Sequence, residues 1–336
     1  MATAAGGTVT VRRGPREQAY RLPVRGSPAL IEWLAQHQRQ QFAEEVHCRF
    51  AGGRVVGPGV ILSPDGRTIA RDVSISFGEP PDQHWMLRER GIPRPRRLPG
   101  DVASVATLSG QTYYHWLLEE LPRFQAAVAR GHDTIIAHRA MLGTVPALLG
   151  FRERIIDAGE QHHWQCDSLT VESLHGITGN PSPDQVDAIR AIAARTPRVD
   201  VAHGERLFIS RARASIRRLA NEDLLWPALE ARGFRRLALE SLPWHHQIAA
   251  FARAKVVVAP HGAGLANLVF CNPQTRVVEV MHPGFCHWVF WRLASLCDLD
   301  YRPVLGAGDG PLRHDFNHNR SDITVAWEAI AAALDD

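Results

Sequence analysis

The residues His261-Gly-Ala-Gly-Leu-Ala-Asn267 have the types and spacing of a backbone anion site. Gly262 and Gly264 remove the β-carbons that would hold an oxyanion away from peptide N–H groups. Ala263 stands between them, and the apolar residues up to Phe270 read as a helix. Its N-terminus would offer unpaired N–H groups and a favourable dipole. His261 opens the turn and can donate to a phosphate. The same glycines would equally serve close packing of a strand on a helix, and Asn267 stands where a dinucleotide fingerprint has its third glycine, so spacing alone leaves both readings open. Ser210-Arg211 ends another apolar strand, and Arg217 follows within a few residues. Guanidinium groups there would neutralise the charge that builds on a departing diphosphate, as a divalent metal does elsewhere. Glu279, at the end of the strand after the turn, is placed to accept a hydrogen bond from a ribose hydroxyl. A third segment, Tyr113-Tyr-His-Trp-Leu-Leu-Glu-Glu120, puts His115 and Glu119 on one helix face and turns Glu120 away. An imidazole and a carboxylate so placed can take a proton from a hydroxyl, and they equally suit an ordinary helix-surface pair.

The elements that must position these groups are most regular after residue 100. Before it the pattern predicts a helix over 28–45, a strand-like stretch over 54–62, an Asp65-Gly66 turn and a Pro- and Arg-rich loop over 91–100. Then come a strand over 102–108, a helix over 114–130, a strand over 134–137, a helix over 141–149 and a strand over 154–156. Turn residues at 179–183 precede a helix ending near Arg195, and 197–204 reads as a connector. Beyond it strands over 206–209, 235–239, 255–259, 276–281 and 301–305 alternate with helices over 221–232, 243–253, 262–270, 286–297 and 322–334. Such alternation predicts an α/β fold with parallel sheets. The division expected is residues 1–197 and 198–336, as two doubly wound, Rossmann-like halves that face a cleft and bind ligands at the carboxyl ends of their strands.

Composition narrows the function classes. A chain of 336 residues, 45% hydrophobic, can bury the cores of two such halves. A formal charge of +3 is too small to argue for nucleic acid. Lys255 is the one lysine, so the cations are nearly all arginine; this suits phosphate recognition, and genomic base composition would produce it equally well. Five cysteines, odd in number and without a CxxC pair, indicate neither a disulfide framework nor a zinc knuckle, and point to a reducing compartment. With no apolar leader and no uninterrupted apolar window of about 18 residues, the expectation is a soluble cytoplasmic protein without a transmembrane segment. Attachment to a membrane surface through a partner is compatible with it.

Taken together, YYHWLLEELPRF (Tyr113–Phe124), FISR with the following Asn221-Glu222 pair, and HGAGLANLVFCNP running into VVEV (His261–Val280) resemble glycosyltransferase family 61. That group includes bacterial capsule-type transferases of polysaccharide biosynthesis and eukaryotic enzymes adding xylose or N-acetylglucosamine. The resemblance implies a GT-B fold and inverting, metal-independent transfer from a nucleotide sugar, UDP- or GDP-linked, to a hydroxyl of a glycan or lipid-linked acceptor, without a cofactor. It implies a donor held mainly by the C-terminal half, with Arg211 and His261–Asn267 at the diphosphate and Glu119 in the position of the base; Ser210, Arg217 and Asn221 are counted with them as donor-binding residues. Thr112, where asparagine is common, and Gln274, where glycine is common, depart from the pattern.

Rival classes are weaker on the same residues. A metal-dependent hydrolase would draw on His314, Asp315 and His318, or on Asp298-Leu-Asp300, but none has a helical HExxH frame. A nucleotide-sugar or glycan-binding protein without chemistry would not need both the carboxylate helix and the arginine segment. A dinucleotide oxidoreductase would carry its glycine turn in an early βα unit.

Overall fold

The computed structural model describes residues 2–74, 92–159, 162–173, 178–200, 204–308 and 310–335. Gly91 of the expected Pro/Arg loop and residues 201–203 of the expected connector lie outside the described residues. The chain forms two compact units, Met1–Arg16 with Gln41–Ile192, and Glu17–Gln40 with Ala193–Asp336. Residues 17–40, read from the sequence as part of the first half, belong to the second unit. Among the described residues no helix is long and apolar enough to cross a membrane.

The first ten strands are β1 (Thr8–Arg13), β2 (Arg16–Ala19), β3 (Arg39–Phe42), β4 (Glu45–Ala51), β5 (Arg54–Val56), β6 (Val60–Leu62), β7 (Arg96–Ser104), β8 (Thr134–Ala137), β9 (Arg154–Asp157) and β10 (His163–Glu172). Strands β2 and β3 pair separately; the main sheet runs β1-β4-β10-β7-β8-β9, with β5 on β10 and β6 on β5. Strands β10, β7, β8 and β9 are parallel, whereas β1, β4, β5 and β6 join antiparallel. The first unit is therefore mixed: parallel where the sequence after residue 100 alternates strand and helix, and antiparallel in the irregular stretch before it. The helix over 28–45 stops at Ala35 and gives way to β3, and the stretch over 54–62 is a hairpin rather than one strand.

Strand β7 occupies the second half of the expected Pro/Arg loop, for an identifiable reason. Its register with β10 jumps from Leu98↔Cys166 to Asp101↔Ser168, so Pro99 and Gly100 together face Asp167 across a bulge. Proline has no N–H to give to a ladder and glycine takes the left-handed φ of 85°. The Asp167 carboxylate accepts the orphan Gly100 N–H at 3.3 Å. The same bulge breaks the alternation of apolar residues in His163–Glu172, which hides β10 from a period-two reading.

The second unit holds β11 (Arg206–Ile209), β12 (Arg235–Leu237), β13 (Val256–Pro260), β14 (Arg276–Met281) and β15 (Asp300–Leu305), all parallel, in the order β12-β11-β13-β14-β15. Every residue of β13 is buried, as a strand covered on both faces by helices requires. Phe208, Val256, Val258, Val278, Val280 and Val304 pack on one face with Leu225, Leu229 and Ile330 of the helices Glu222–Ala231 and Trp327–Leu334. The alternate residues Leu207, Val257 and Val277 are buried too. Strand order reverses between β11 and β13, which defines the topological switch point where open parallel sheets bind ligands.

Candidate functional site

At that switch point the chain leaves β11 as Ser210-Arg211 and leaves β13 as His261-Gly262. The residues after Gly262 form a 3₁₀ helix, Ala263–Phe270, where an α-helix was expected. Among the described residues the N–H groups of Gly262, Ala263 and Gly264 have no backbone partner, as the first turn of a helix leaves them. The φ of Gly262 is 171°, extended backbone that any residue adopts, so glycine is needed there for space. A β-carbon would overlap Arg211 Nη1 and lie 2.6 Å from Cζ. The guanidinium thus lies flat against the turn, anchored by Nε donating to Arg217 O (3.0 Å) and Nη2 donating to Ile216 O (2.8 Å).

Arg217 adopts a left-handed φ of 52° and returns to the same place. Its Nε donates to His261 O at 3.3 Å, its Nη1 donates to Asn319 O at 2.5 Å, and its guanidinium sits 5.7 Å over the Phe285 ring. Among the described residues neither Arg211 nor Arg217 forms a salt bridge. Burial, and then the charge of Arg211, pull Arg217 down to about 10. Burial also lowers Arg211. Two partly desolvated guanidinium groups without a salt bridge, with the Glu240 carboxylate acting on Arg211 only against the larger effect of burial, make a site poised for a multivalent anion. Arg213 is exposed and Arg218 pairs with Asp322, as solvated cations do.

The other residues expected at the donor have protein partners for their side chains. Ser210 Oγ donates to Glu222 Oε1 (2.6 Å). Asn221 Nδ2 donates to Val325 O (2.8 Å). Asn267 is fully buried and donates to Gln247 Oε1 and Gly264 O, both at 3.1 Å. Glu279, expected at a ribose, is fully buried, one oxygen 2.5 Å from His261 Nδ1 and the other accepting from Tyr301 OH at 2.5 Å. Each side chain points into the protein because a buried donor or acceptor there needed a partner. Gln274 takes a left-handed φ of 66°, which explains why glycine suits that position.

In the first unit, the helix carrying His115 and Glu119 is α-helical over Tyr113–His115 and Leu121–Ala129, with a π turn at Trp116–Glu120 between them. Both Glu119 and Glu120 are buried at this turn, and Glu120 points away from His115 as expected, but into the protein rather than to solvent. Glu119 Oε1 accepts from Gly179 N (2.8 Å), and Oε2 lies 3.0 Å from His115 Nδ1, within ion-pair distance. The His115 side chain is 19% exposed and that of Glu119 4%, so the imidazole is the outward member of the pair.

Sequence reasoning missed Glu120 and its partner. Its Oε1 accepts from His138 N (2.6 Å) and its Oε2 is 2.7 Å from His138 Nδ1. His138 follows the carboxyl end of β8, a signal that could have marked it. Gly110 leaves room for this pair, since a β-carbon there would overlap Glu120 Oε2 and His138 Nδ1 and lie 2.8 Å from His138 Cε1. Because both partners are buried, Gly110→Ala is expected to destabilise the fold by about 1–3 kcal/mol, read as a lowered urea midpoint at unchanged slope. Tyr301 was also missed, for it sits near the start of β15 among residues that pattern as core.

His314 Nδ1 is 3.0 Å from Cys286 O and the Asp315 carboxylate accepts Asn317 N–H. Among the described residues no three His, Cys, Asp or Glu side chains are grouped as a metal-ligand set. Residues 113–278 match the family model described as Glycosyltransferase 61. The match takes in the His115–Glu119 helix, Arg211, Arg217 and the whole His261–Asn267 turn, and stops one residue before Glu279. No curated protein matches this chain.

Proposed function

Through residues 113–278 the chain belongs to glycosyltransferase family 61, and we propose that it is an inverting transferase of GT-B type that works without a metal. Its donor is a nucleotide sugar, UDP- or GDP-linked. Its acceptor is a hydroxyl of a glycan or lipid-linked acceptor, reached in the cytoplasm, where five buried cysteine thiols would stay reduced.

The observation that carries this reading is the pair of guanidinium groups without salt bridges beside Gly262–Gly264. Loss of a nucleoside diphosphate leaves negative charge on its terminal phosphate. Arg211, Arg217, the N–H groups of Gly262–Gly264 and the His261 side chain supply fixed donors for that charge, and being preorganised they need no reorientation as it develops. Binding both phosphates relieves the repulsion between the two arginines, so the site favours the leaving group over neutral ligands.

In the first unit the His115–Glu119 pair takes the acceptor proton. The imidazole meets the hydroxyl, and the carboxylate behind it, steadied by the Gly179 N–H, stabilises the imidazolium that forms. As the O–H bond yields, the oxygen attacks the anomeric carbon from the face opposite the diphosphate, the bond to the diphosphate breaks, and the configuration inverts.

A hydrolysis screen over UDP- and GDP-linked sugars tests the donor class, since slow turnover needs no acceptor. One family of nucleotide sugars should be cleaved, and equally well after exhaustive EDTA treatment. A loss of turnover on chelation that added divalent ion restores would refute metal independence.

A further inference from the structure

The His261 side chain is enclosed by the rings of Phe290, Phe285 and His287, at centroid distances of 5.1, 5.6 and 5.8 Å. Its Nδ1 meets one oxygen of Glu279, whose other oxygen accepts from Tyr301 OH, each at 2.5 Å. His261 N donates to Val280 O at 2.9 Å, which fixes its backbone. Among the described residues Nε2 has no hydrogen-bond partner. The titratable and charged groups around the pair are Arg211 and Arg217 from the loop after β11, Cys286 and His287 from the loop after β14, Tyr301 of β15, and His314.

These surroundings decide where a proton between the two side chains rests. Burial disfavours an imidazolium, and Arg217, Arg211 and His314 add to the effect, so His261 is held well below its ordinary value. Burial also disfavours a carboxylate, and Glu279 is pushed up to about 8, with the Tyr301 hydrogen bond acting in the opposite direction. At neutral pH the proton therefore belongs to Glu279. A carboxylic acid that donates to Nδ1 leaves the single ring proton of a neutral imidazole on Nε2.

We propose that Glu279 and Tyr301 are positioning residues which hold His261 as a neutral Nε2–H donor to the diphosphate, the Glu279 hydroxyl donating to Nδ1 and the Tyr301 hydroxyl to the remaining carboxyl oxygen. This rests on the reading of the turn as the diphosphate site. When the Glu279 proton is lost to solvent at higher pH, the ring proton moves to Nδ1 to face the carboxylate. Nε2 then presents a lone pair to phosphate oxygens, and one donor becomes a repulsive contact. Binding is strongest below the Glu279 titration and weakens as pH rises through it.

The test is calorimetric binding of inorganic pyrophosphate from pH 6 to 10 to the wild-type chain and to Glu279→Gln, Tyr301→Phe, His261→Ala and Arg211→Ala. The Glu279→Gln side chain keeps the shape, donates from its amide to Nδ1 and accepts from Tyr301, but has no proton to lose. Relative to Glu279→Gln, in which the titration of pyrophosphate itself cancels, wild-type affinity should fall roughly five- to tenfold across a midpoint near pH 8. Tyr301→Phe, lacking the hydrogen bond that favours the carboxylate, should move that midpoint upward. Identical pH profiles for wild type and Glu279→Gln would overturn the proposal, as would Glu279→Gln binding as weakly as His261→Ala at pH 7. Failure of the wild-type chain to bind pyrophosphate, or indifference of binding to Arg211→Ala, would instead sink the diphosphate site itself and the proposal with it.

Discussion

Glu119→Gln is expected to lower sugar transfer by about 10²–10⁴-fold while leaving the dissociation constant of the nucleotide donor unchanged. The substitution preserves shape. The amide oxygen can still accept from Gly179 N, the bond that ties residue 179 to the helix, so the π turn keeps its form. What disappears is the negative charge 3.0 Å from His115 Nδ1. A neutral amide neither takes a proton nor stabilises an imidazolium, and the loss falls on kcat because it is felt as the acceptor proton moves. His115→Gln separates the two roles. If the imidazole takes the proton, both variants lose rate to a similar degree and the double variant loses little more, since members of one catalytic unit are not additive. If the carboxylate takes it directly, His115→Gln costs far less than Glu119→Gln. Normal transfer by Glu119→Gln would remove this pair from the chemistry altogether.

The second large effect belongs to the turn. Arg211→Ala is expected to weaken donor binding by roughly 30- to 150-fold, the equivalent of about 2–3 kcal/mol for charge-assisted hydrogen bonds to phosphate. Gly262→Ala should move in the same direction without removing any functional group. The extended φ at Gly262 tolerates alanine, so the backbone is not strained, but the new methyl occupies the position of the Arg211 guanidinium. That group must swing out, giving up its bonds to Ile216 O and Arg217 O. Folding is expected to survive, because the displaced atoms are the far end of a flexible side chain. Titration with UDP and GDP reads the loss, and a thermal melt near that of the wild type establishes that the fold is intact. Wild-type donor affinity in Gly262→Ala would mean that the guanidinium does not need its place against the turn.

Much of the second unit was legible in the sequence, because a parallel sheet buried on both faces writes itself as runs such as Val256–Pro260 and Arg276–Met281 separated by amphipathic helices. The first unit was harder. Strands β7 and β10 meet across a bulge that places Pro99 and Gly100 inside a strand and shifts the apolar alternation of its partner, and both features read as loop. Residues 17–40 join the second unit through long-range contacts such as Trp291 Nε1 to Arg21 O, which no local pattern announces.

Within the candidate site, glycine spacing and strand ends singled out Arg211, Arg217 and His261, which the fold gathers at one switch point. Residue type alone could not tell a polar side chain aimed at a ligand from one satisfying a buried neighbour. The side chains of Ser210, Asn221, Asn267 and Glu279 each hydrogen-bond a protein neighbour. His115 and Glu119 share a face as their spacing predicts, but the π turn that also buries Glu120 depends on tertiary packing rather than on periodicity.

A crystal structure of the chain soaked with UDP or GDP measures directly where a diphosphate binds. It should show the two phosphates within hydrogen-bond distance of Arg211 Nη1 and of the Ala263 and Gly264 amides, with Glu279 still buried beneath His261. Density for the diphosphate elsewhere on the chain, or an Arg211 side chain turned away from it, would contradict the assignment.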